Sequence, residues 1–490
     1  MLVANRGEIA LRIMRSCREL GIKTVAVYSE ADVAAPFTRY ADEAYLLGPP
    51  PSASSYLNMD KILEIAENTK TDAIHPGYGF LSENAQFAQR VHERGIIFIG
   101  PPAEAIQTMG DKISSKVAVQ AFGVPLVPGM HEPVKDINQA TKVASDIGFP
   151  VLIKATAGGG GKGMRIVFEK EQLQTEITRA SSEASTAFGN ADVFIEKYIT
   201  SPKHIEVQII GDQQGNIVHL VERDCSIQRR HQKVIEEAPS PLLNETERDA
   251  IGTAAIQVAK ACNYYNAGTV EFVMDENKNF YFLEMNTRLQ VEHPVTEEIT
   301  GVDLVKEQIN VAEGNPLSFA QKDISIRGHS IEVRVYAEDP QENFSPSIGT
   351  LTEYSVPKGP GIRVDDGYEK GMEIPIYYDS MIAKLVATAP NRDHAIQRMI
   401  RAINEYEIGG IKTTLPFCKF ALNHEDFRGG HFTTKFIEKY FNPELLEEEP
   451  QEQEVHAALI AAHLYFEKKV AEQKPIFAEN QSKWRMRMRK

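Results

Sequence analysis

The stretch TVEFVMDENKNFYFLEMN places the strongest constraint on the fold of this chain. Apolar residues alternate along both arms and a polar turn separates them, which is typical of a β-hairpin. If the turn is formed by residues 276–279, Glu271 lies directly opposite Glu284. Opposed residues have Cβ atoms about 4.5–5.5 Å apart, and like charges there are destabilising unless a positive group lies between them. The hairpin therefore predicts a cation site, although two long side chains that splay into solvent would also fit.

A row of polar residues continues beyond this hairpin. Glu284, Asn286, Arg288, Gln290 and Glu292 occupy alternate positions, and mostly apolar residues separate them. An extended chain would place all five on one side of a sheet. In a straight strand the first and last would lie about 26 Å apart. We therefore expect the chain to curve or leave the sheet after Asn286, so that the two ends of the row come together.

Composition and charge narrow the class of protein. The chain has 490 residues, which suggests two to four domains, and 42% hydrophobic and 25% charged residues are ordinary for a globular protein. A net charge of −15 argues against a general nucleic-acid binder. Cysteines at 17, 225, 262 and 418 lack CxxC spacing, and no signal peptide or long apolar run is present. These features predict a cytoplasmic protein that neither spans nor binds a membrane.

The order of patterns along the chain predicts several regions. Residues 1–106 alternate short apolar strands (TVAVYS, DAIHPG, IIFIG) with helices, which is typical of a doubly wound parallel sheet. The first strand is barely four residues long, so either it is short or the true start lies upstream of Met1. Residues 111–320 and 329–440 mix strands with helices. From 443 to 490 an acidic segment precedes an amphipathic helical pattern at Val455, Leu459, Ala462, Phe466 and Val470, and the basic sequence KWRMRMRK follows.

The glycine run from Gly158 to Gly163 is the second strong signal. Strands flank it on both sides, so it lacks the helix that a Rossmann fingerprint needs, and Lys162 is followed by glycine, which excludes a Walker A loop. The run fits a flap whose backbone N–H groups cover phosphates, or a disordered surface hairpin. Lys112 and Lys154 could each reach a phosphate, although a lone lysine is more often a solvated surface charge.

A basic cluster stands out in this acidic chain. The stretch ERDCSIQRRHQKVIEEAPS holds Arg223, Arg229, Arg230, His231 and Lys233, which suggests anion binding. A salt-bridged face involving the neighbouring glutamates is the alternative interpretation. The short stretch FIEKYI could offer backbone groups to a purine edge.

Together these motifs resemble the ATP-grasp pattern, and within it the biotin carboxylase family. The resemblance rests on VANRGEIA, HPGYGFLSEN, KATAGGGGKGMR, ERDCSIQRRHQKVIEEAP, EMNTRLQVEHPVTE and EVRVYAEDP, which span residues 1 to about 440. It implies a multidomain α/β and α+β fold: an N-terminal domain (1–106), an ATP-grasp domain (111–320) with a mobile glycine-rich lid at about 130–200, and an α+β C-terminal domain (329–440). The family uses ATP and bicarbonate to carboxylate biotin on a carrier protein.

The resemblance also implies roles for individual residues. The nucleotide contacts would be Lys112, Lys154, Gly160, Gly161, Glu196, Lys197, Ile199, His204 and His231. The ligands of Mg²⁺ or Mn²⁺ would be Glu271, Glu284 and Asn286, the first two of which would also contact the nucleotide. Bicarbonate would lie against Lys233, Arg288, Gln290 and Val291, with Glu292 as the general base and Arg334 near biotin.

The resemblance implies partners as well. No Met-Lys-Met sequence of the kind that carries biotin occurs in this chain. The carrier protein and the carboxyltransferase are therefore expected on separate chains, with the tail from 443 docking one of them, or else remaining a flexible terminus. A homodimer is expected from the family. The alternatives are another ATP-grasp carboxylase or ligase, and a nucleotide-binding protein without catalysis.

Overall fold

A computed structural model of the protein describes residues 1–130, 132–156, 163–446 and 452–472. By packing, the chain divides into one unit from Met1 to Phe441 and a second unit that begins at Asn442. The predicted site residues that are described all belong to the first unit.

The N-terminal region folds as a five-stranded parallel sheet with helices between the strands. Its elements are β1 (Leu2–Val3), α1 (Gly7–Glu19), β2 (Val25–Ser29), α2 (Pro36–Tyr40), β3 (Glu43–Gly48), α3 (Met59–Asn68), β4 (Ala73–His75), α4 (Ala85–His92), β5 (Ile97–Phe98) and α5 (Ala103–Gly110). The strand order is β3-β2-β1-β4-β5, so the sheet is wound outward in both directions from β1. The predicted doubly wound sheet is confirmed.

The strand β3 is the element that sequence patterns missed in this region. Its sequence EAYLLG exposes four of six residues, because it forms an edge of the sheet and pairs with β2 alone. An edge strand needs no buried apolar run, and the prediction relied on such runs. The strand β1 is two residues long.

The middle of the chain supplies a small sheet and most of a large one. Its elements are α6 (Lys112–Gln120), α7 (Ile137–Ile147), β6 (Val151–Ala155), β7 (Arg165–Val167), α8 (Leu173–Phe188), β8 (Val193–Lys197), β9 (Lys203–Gly211), β10 (Ile217–Arg229), β11 (Gln232–Ala238), α9 (Glu245–Ala261), β12 (Asn266–Met274), β13 (Phe280–Asn286), α10 (His293–Thr300) and α11 (Leu304–Ala312). The strands β7, β6 and β8 form an antiparallel sheet. As predicted, strands flank the glycine run, of which residues 158–162 lie outside the described part of the chain.

The C-terminal region extends the large sheet. Its elements are β14 (His329–Tyr336), β15 (Glu338–Asp339), β16 (Ser345–Pro346), β17 (Glu353–Ser355), β18 (Ile362–Asp366), β19 (Met381–Ala389), α12 (Arg392–Glu405), β20 (Glu407–Gly409), α13 (Leu415–Asn423), α14 (Glu425–Arg428) and α15 (Phe436–Tyr440). The resulting eight-stranded antiparallel sheet has the order β13-β12-β9-β10-β11-β14-β19-β18. It runs without a break across the expected boundary between residues 320 and 329, because β11 pairs with β14.

The large sheet positions the site because some parts of its surface are apolar and others carry charged residues. Aliphatic side chains of β9 and β12, such as Val207 and Val270, pack with α9 into one hydrophobic core. The strands β14 and β19 pack with α12 and α13 into another. Neighbouring positions of β9 to β12 instead carry buried charged residues, including Glu206 and Arg223, which must find partners within the fold.

The second unit contains one long helix, α16 (Glu452–Glu472). A helix was predicted here, with its apolar residues along one stripe. Leu459 and Phe466 lie on that stripe, but Ile460 and Leu464 do not, and all four side chains are about 60% exposed within the described structure (59–64%). The apolar surface is therefore wider than the stripe. The basic sequence KWRMRMRK lies outside the described residues.

Across the part of the chain that the structure covers, no helix is both long enough and apolar enough to cross a lipid bilayer.

Candidate active site

The hairpin β12–β13 places Glu271 opposite Glu284, as the sequence predicts. The predicted turn was wrong in detail. Met274 pairs with Phe280, so the connection is the five-residue segment 275–279, and an irregularity follows between Glu271 and Phe272. The longer loop and the bulge at Leu283 compensate for each other, and Glu271 and Glu284 still pair across the two strands. Bulges near functional sites commonly re-aim a side chain in this way.

The register extends this pair into a row across four strands. Arg223 on β10 pairs with Glu206 on β9, Glu206 pairs with Glu271 on β12, and Glu271 pairs with Glu284 on β13. Three carboxylates therefore lie side by side, with a guanidinium at one end. Neighbouring like charges of this kind are stable only when cations are supplied from elsewhere in the fold.

Lys233 on β11 supplies one of those cations. Its ammonium group donates hydrogen bonds to Glu206, to Glu271 at 2.9 Å and to Glu292 at 2.7 Å. His204 is a second polar neighbour, with Nε2 at 3.0 Å from Glu271. Burial opposes ionisation of Glu271, but Lys233 and His204 outweigh it and hold the pKa of this carboxyl well below its usual range.

The chain leaves the sheet after Asn286, as the spacing of the polar row predicts. The strand β13 ends at Asn286, and Glu292 is the residue that precedes α10. The intervening loop turns back, so that Glu292 and Glu271 both contact Lys233. The two ends of the polar row, far apart in an extended chain, thus share one ammonium group.

Glu292 is held from two sides. Its Oε1 accepts the hydrogen bond from Lys233, and its Oε2 accepts one from Arg334 Nη2 at 2.8 Å. Arg334 is fixed in turn by Glu236, which accepts from its Nε at 2.5 Å. Burial disfavours a charged carboxylate, but Lys233 and Arg334 prevail and keep the pKa of Glu292 well below its usual range. The carboxylate is therefore ionised and oriented.

Gln290 is tied to the sheet by Arg223 and Glu271. Its side-chain oxygen accepts from Arg223 Nη2 at 2.8 Å, and its amide nitrogen donates to Glu271 at 2.8 Å. Arg223 is fully buried and also donates to Glu206 at 2.5 Å. Arg223 appears in the basic cluster of the sequence, but nothing local signals its role, because its partners are 15 to 73 residues away.

Arg288 is held by the N-terminal region. Its Nε donates to Glu83 at 2.8 Å, and the backbone N–H of Thr287 donates to the other oxygen of Glu83 at 3.1 Å. Glu83 lies within the motif HPGYGFLSEN, yet its pairing with a residue 205 positions away could not be derived from spacing.

The predicted site residues line two adjoining cavities of about 670 and 790 Å³. The smaller is lined by Lys112, Lys154, His204, His231, Lys233, Glu271, Glu284, Asn286, Arg288, Gln290, Val291, Glu292 and Arg334. The larger is lined by Lys154, Glu196, Lys197, Ile199, His204 and His231. Because Lys154, His204 and His231 line both, the cavities form one continuous cleft. Gly160 and Gly161 lie outside the described residues.

The carboxylate pair fits a hard divalent cation by its chemistry. Glu271 and Glu284 pair across the two strands, and Asn286 follows Glu284 by two residues on β13. The side-chain amide nitrogen of Asn286 donates to Glu271 at 2.8 Å, so the amide group lies beside the carboxylate pair. Carboxylate and amide oxygens are the donors that Mg²⁺ accepts, together with phosphate oxygens and water.

Glu196, which lines the larger cavity, is paired with lysines from two elements. Glu196 on β8 is buried and pairs with Lys154 at 2.8 Å and with Lys116 on α6. Burial raises the pKa of Glu196, but the two ammonium groups overcome this and lower it. Lys197 instead donates to the backbone carbonyl of Gly148 at 2.9 Å. Lys116 is a further residue that sequence analysis did not single out.

His231 occupies a tight turn between β10 and β11. Arg230 and His231 form the two-residue connection and have φ angles of +49° and +68°. Two-residue hairpin turns with positive φ at both positions strongly favour asparagine and glycine, so an Arg-His pair here carries strain. Strain of this kind is concentrated at functional sites, and this turn borders both cavities.

A small antiparallel sheet that bears lysines lies across a cleft from a large sheet that bears paired carboxylates, and this arrangement defines an ATP-grasp protein. Family models agree. "Biotin carboxylase, N-terminal domain" matches residues 1–106, "Carbamoyl-phosphate synthase L chain, ATP binding domain" matches 111–320, and "Biotin carboxylase C-terminal domain" matches 332–439.

Comparison with known proteins indicates the same family. Biotin carboxylase 1 of Bacillus subtilis is 53% identical over 441 residues, which cover 90% of this chain and 98% of that protein. The small subunit of 2-oxoglutarate carboxylase from Hydrogenobacter thermophilus is 52% identical over 440 residues, 90% and 93% of the two chains. The biotin carboxylase domain dimer of that carboxylase, solved with MgADP, ADP and bicarbonate, is 51% identical with a TM-score of 0.86, covering 91% of this chain and 98% of that one. The chain belongs to the biotin carboxylase family.

Proposed function

We propose that this chain carboxylates biotin, using bicarbonate and ATP, as the first half-reaction of a biotin-dependent carboxylase. The observation that carries the proposal is the position of Glu292. Its carboxylate is ionised and held between Lys233 and Arg334, in the same cavity as the carboxylate pair Glu271 and Glu284. A proton acceptor and a cation site are thus brought to one cleft.

Bicarbonate binds in the part of the cavity that lies between Lys233 and the loop formed by residues 288–291. Lys233, Arg288, Gln290 and Val291 line this part of the cavity. Bicarbonate is a poor nucleophile until its hydroxyl proton is removed, and Glu292 is the carboxylate placed to remove it. When Lys233 turns from Glu292 toward the bound anion, the pKa of Glu292 rises and proton transfer becomes easier.

ATP occupies the larger cavity with its phosphates directed toward the smaller one. Nucleotide contacts are assigned to Lys112, Lys154, Glu196, Lys197, Ile199, His204 and His231, and to the glycine run that contains Gly160 and Gly161. Glu271, Glu284 and Asn286 would hold Mg²⁺ or Mn²⁺, and a bound ion neutralises charge on the phosphates. An oxygen of deprotonated bicarbonate attacks the γ-phosphorus, the bond to the β-phosphate oxygen breaks, and carboxyphosphate and ADP form.

Biotin approaches on the side of Arg334. Carboxyphosphate breaks down to CO₂ and a phosphate anion. The phosphate takes the proton of the ureido nitrogen of biotin, and that nitrogen bonds to the carbon of CO₂. Arg288 remains protonated at any physiological pH and stabilises the enolate form of the biotin ureido group. Arg334 orients biotin beside the carboxyphosphate.

Partners follow from the same family membership. One Hydrogenobacter relative is named a small subunit, which implies at least one further subunit in its complex, and the related solved structure is a domain dimer. We infer that this chain is a homodimer that receives biotin on a carrier protein and passes the carboxyl group to a carboxyltransferase on another chain. The four cysteines are unpaired, which fits a reducing, cytoplasmic compartment.

One assay tests the proposal against its alternatives. The release of ADP is measured with bicarbonate and free biotin, with each alone, and with neither. Biotin carboxylation requires that turnover depends on both. Turnover that depends on bicarbonate but not on biotin points to another ATP-grasp carboxylase, and no turnover points to a non-catalytic nucleotide-binding protein. Glu292→Gln should remove the activity, whereas Glu313→Gln, an exposed glutamate, should retain it.

A further inference from the structure

We propose that Lys384 is a positioning residue for the bicarbonate subsite, where it fixes the peptide that precedes the general base. This inference rests on the proposed function, because it concerns the same loop. Lys384 is fully buried on β19, and its Nζ donates a hydrogen bond to the backbone carbonyl of Val291 at 2.9 Å. A buried ammonium that donates to a main-chain carbonyl of a site loop holds that peptide plane in one orientation.

Lys384 and Arg334 act on neighbouring residues of the same loop. The two residues pair directly across the β14–β19 ladder. Arg334 binds the side chain of Glu292, and Lys384 binds the carbonyl of the residue just before it. Two neighbouring strands therefore support two successive residues of the loop, one through its carboxylate and the other through its backbone.

Opposed cations are unfavourable unless each has its own anions. Arg334 pairs with Glu292 at 2.8 Å, while Lys384 lies 3.1 Å from Glu8 and 3.8 Å from Asp365. The partners of Lys384 come from α1 and β18, so the ammonium joins the N-terminal region, the C-terminal region and the site loop at one point. A lysine used merely to neutralise Glu8 and Asp365 would not need to contact Val291.

The opposite side of the loop is fixed by a local turn. The carbonyl of Gln290 accepts from the backbone N–H of His293 at 3.3 Å and lies 2.7 Å from Nδ1 of the same residue. The peptide between Val291 and Glu292 is held by Lys384 instead. Loss of this contact frees the peptide to rotate, which moves the Glu292 carboxylate and the bicarbonate groups on either side of it.

The test removes the hydrogen bond without leaving a buried charge unpaired. Lys384→Met combined with Glu8→Gln keeps the net charge unchanged. We expect the KM for bicarbonate to rise about tenfold, the typical effect of losing one charged hydrogen bond, while the KM for ATP stays within about twofold. If Lys384 only stabilises the fold, kcat per mole of protein falls and both KM values stay the same, which would overturn the proposal.

A matched control uses the same kinds of contact far from the cleft. Lys278 donates to the carbonyl of Leu242 at 2.9 Å and to Glu247 at 3.0 Å. The double variant Lys278→Met with Glu247→Gln should leave the KM for bicarbonate unchanged.

Two further variants are available if the Lys384→Met, Glu8→Gln protein does not fold. If the first double variant is unfolded, Lys384→Met with Asp365→Asn provides a second charge-balanced pair, and Lys384→Arg provides a variant that keeps the charge but moves the donor. Each should raise the KM for bicarbonate selectively, and a folded variant with no selective rise contradicts the proposal. Failure of the proposed function is distinguishable, because the unaltered protein would then show no biotin-dependent turnover.

Discussion

Lys233 Nζ lies 2.7 Å from Oε1 of Glu292, so the residue assigned as general base is ion-paired before bicarbonate is considered. The pair keeps Glu292 ionised but also makes it a weak base. Bicarbonate is an anion and competes with Glu292 for Lys233. When bicarbonate binds, the pKa of Glu292 would therefore rise and Glu292 would become a stronger base.

Glu292→Gln is expected to lower kcat for biotin carboxylation by roughly 10²- to 10⁴-fold, the usual range for loss of a general base. The KM for ATP should change little, because Glu292 is assigned no nucleotide contact. Steady-state ADP release with saturating biotin measures both quantities. A variant that retains more than a tenth of the activity would argue that another group accepts the proton.

Glu271→Gln is expected to raise the Mg²⁺ concentration that gives half-maximal turnover. The amide is a weaker ligand than a carboxylate for a hard cation. The control is Glu276→Gln, an exposed glutamate in the turn of the same hairpin. Turnover is titrated with MgCl₂ at fixed ATP, and circular dichroism checks the fold. Equal Mg²⁺ dependence in both variants would remove Glu271 from the metal site.

Glu236 is expected to make stability fall as pH rises from about 4.5 to 7. Burial and the nearby Glu292 carboxylate outweigh the effect of Arg334 and raise the pKa of Glu236 to about 7. Between those pH values Glu236 keeps its proton in the folded protein but loses it in the unfolded chain. The free energy of unfolding therefore decreases as pH rises, by about 3 kcal/mol in total. Glu236→Gln should flatten this part of the dependence of the unfolding free energy on pH, measured by urea denaturation.

Glu237, the next residue on β11, provides the opposite case. Burial works against ionisation, but Arg392 at 2.7 Å and His329 at 2.6 Å lower the pKa of Glu237 to about 2. Its contribution to stability is complete above the unfolded pKa near 4.5 and is lost as pH falls toward 2. Glu237→Gln should therefore destabilise the protein at pH 7 and less at pH 4, whereas identical pH profiles for the variant and the unaltered protein would contradict this assignment.

Arg223→Met is expected to destabilise the first unit by about 3–5 kcal/mol, because it leaves Glu206 partly unpaired in the interior. Arg223 is fully buried and contacts Glu206, Gln208 and Gln290. Arg179→Met is the control, since its side chain is 65% exposed and should matter by less than about 0.5 kcal/mol. Urea denaturation compares the two variants. A cost for Arg223→Met no larger than that of the control would show that the pairing does not stabilise the fold.

Truncation after Asn442 is expected to weaken assembly with a partner chain and to spare carboxylation of free biotin. The division between the two units falls at this point, and α16 presents exposed Leu459, Ile460 and Phe466. A helix with apolar residues on several faces is stabilised when a partner covers them. Co-purification of the full and truncated chains with their partners measures the effect, and Glu467→Gln in the full chain is the control. Unchanged assembly would assign the tail another role.

Sequence patterns predicted much of the site because Glu271, Glu284 and the polar row after them lie close together along the chain. The alternation around the 275–279 turn was enough to oppose Glu271 and Glu284, even though the turn itself was misplaced by one residue and corrected by a bulge. The rise of about 3.3 Å per residue was enough to predict that the polar row could not remain one strand. Periodicity also predicted the parallel N-terminal sheet, although it missed the exposed edge strand β3.

Alternation alone had grouped Arg288 with Glu292, and the resemblance to a family added Lys233 and Arg334, which periodicity would not have joined to them. The resemblance identified these four residues but not the residues that contact them. Glu83, Lys116, Glu206 and Lys384 were not singled out, since a charged residue whose partner lies far along the chain leaves no periodic signal of its own.

The amino-acid sequence by itself determined which residue types are present and which neighbours along the chain share a face. The tertiary structure decided which cation meets which carboxylate. Arg223, Glu206, Glu271 and Glu284 form a row because four strands adopt one register, and Lys384 reaches Val291 because β19 lies beside β14. Such pairings join residues tens to hundreds of positions apart, and the packing of the whole sheet sets them, because a buried charge is stable only where the fold brings it a partner.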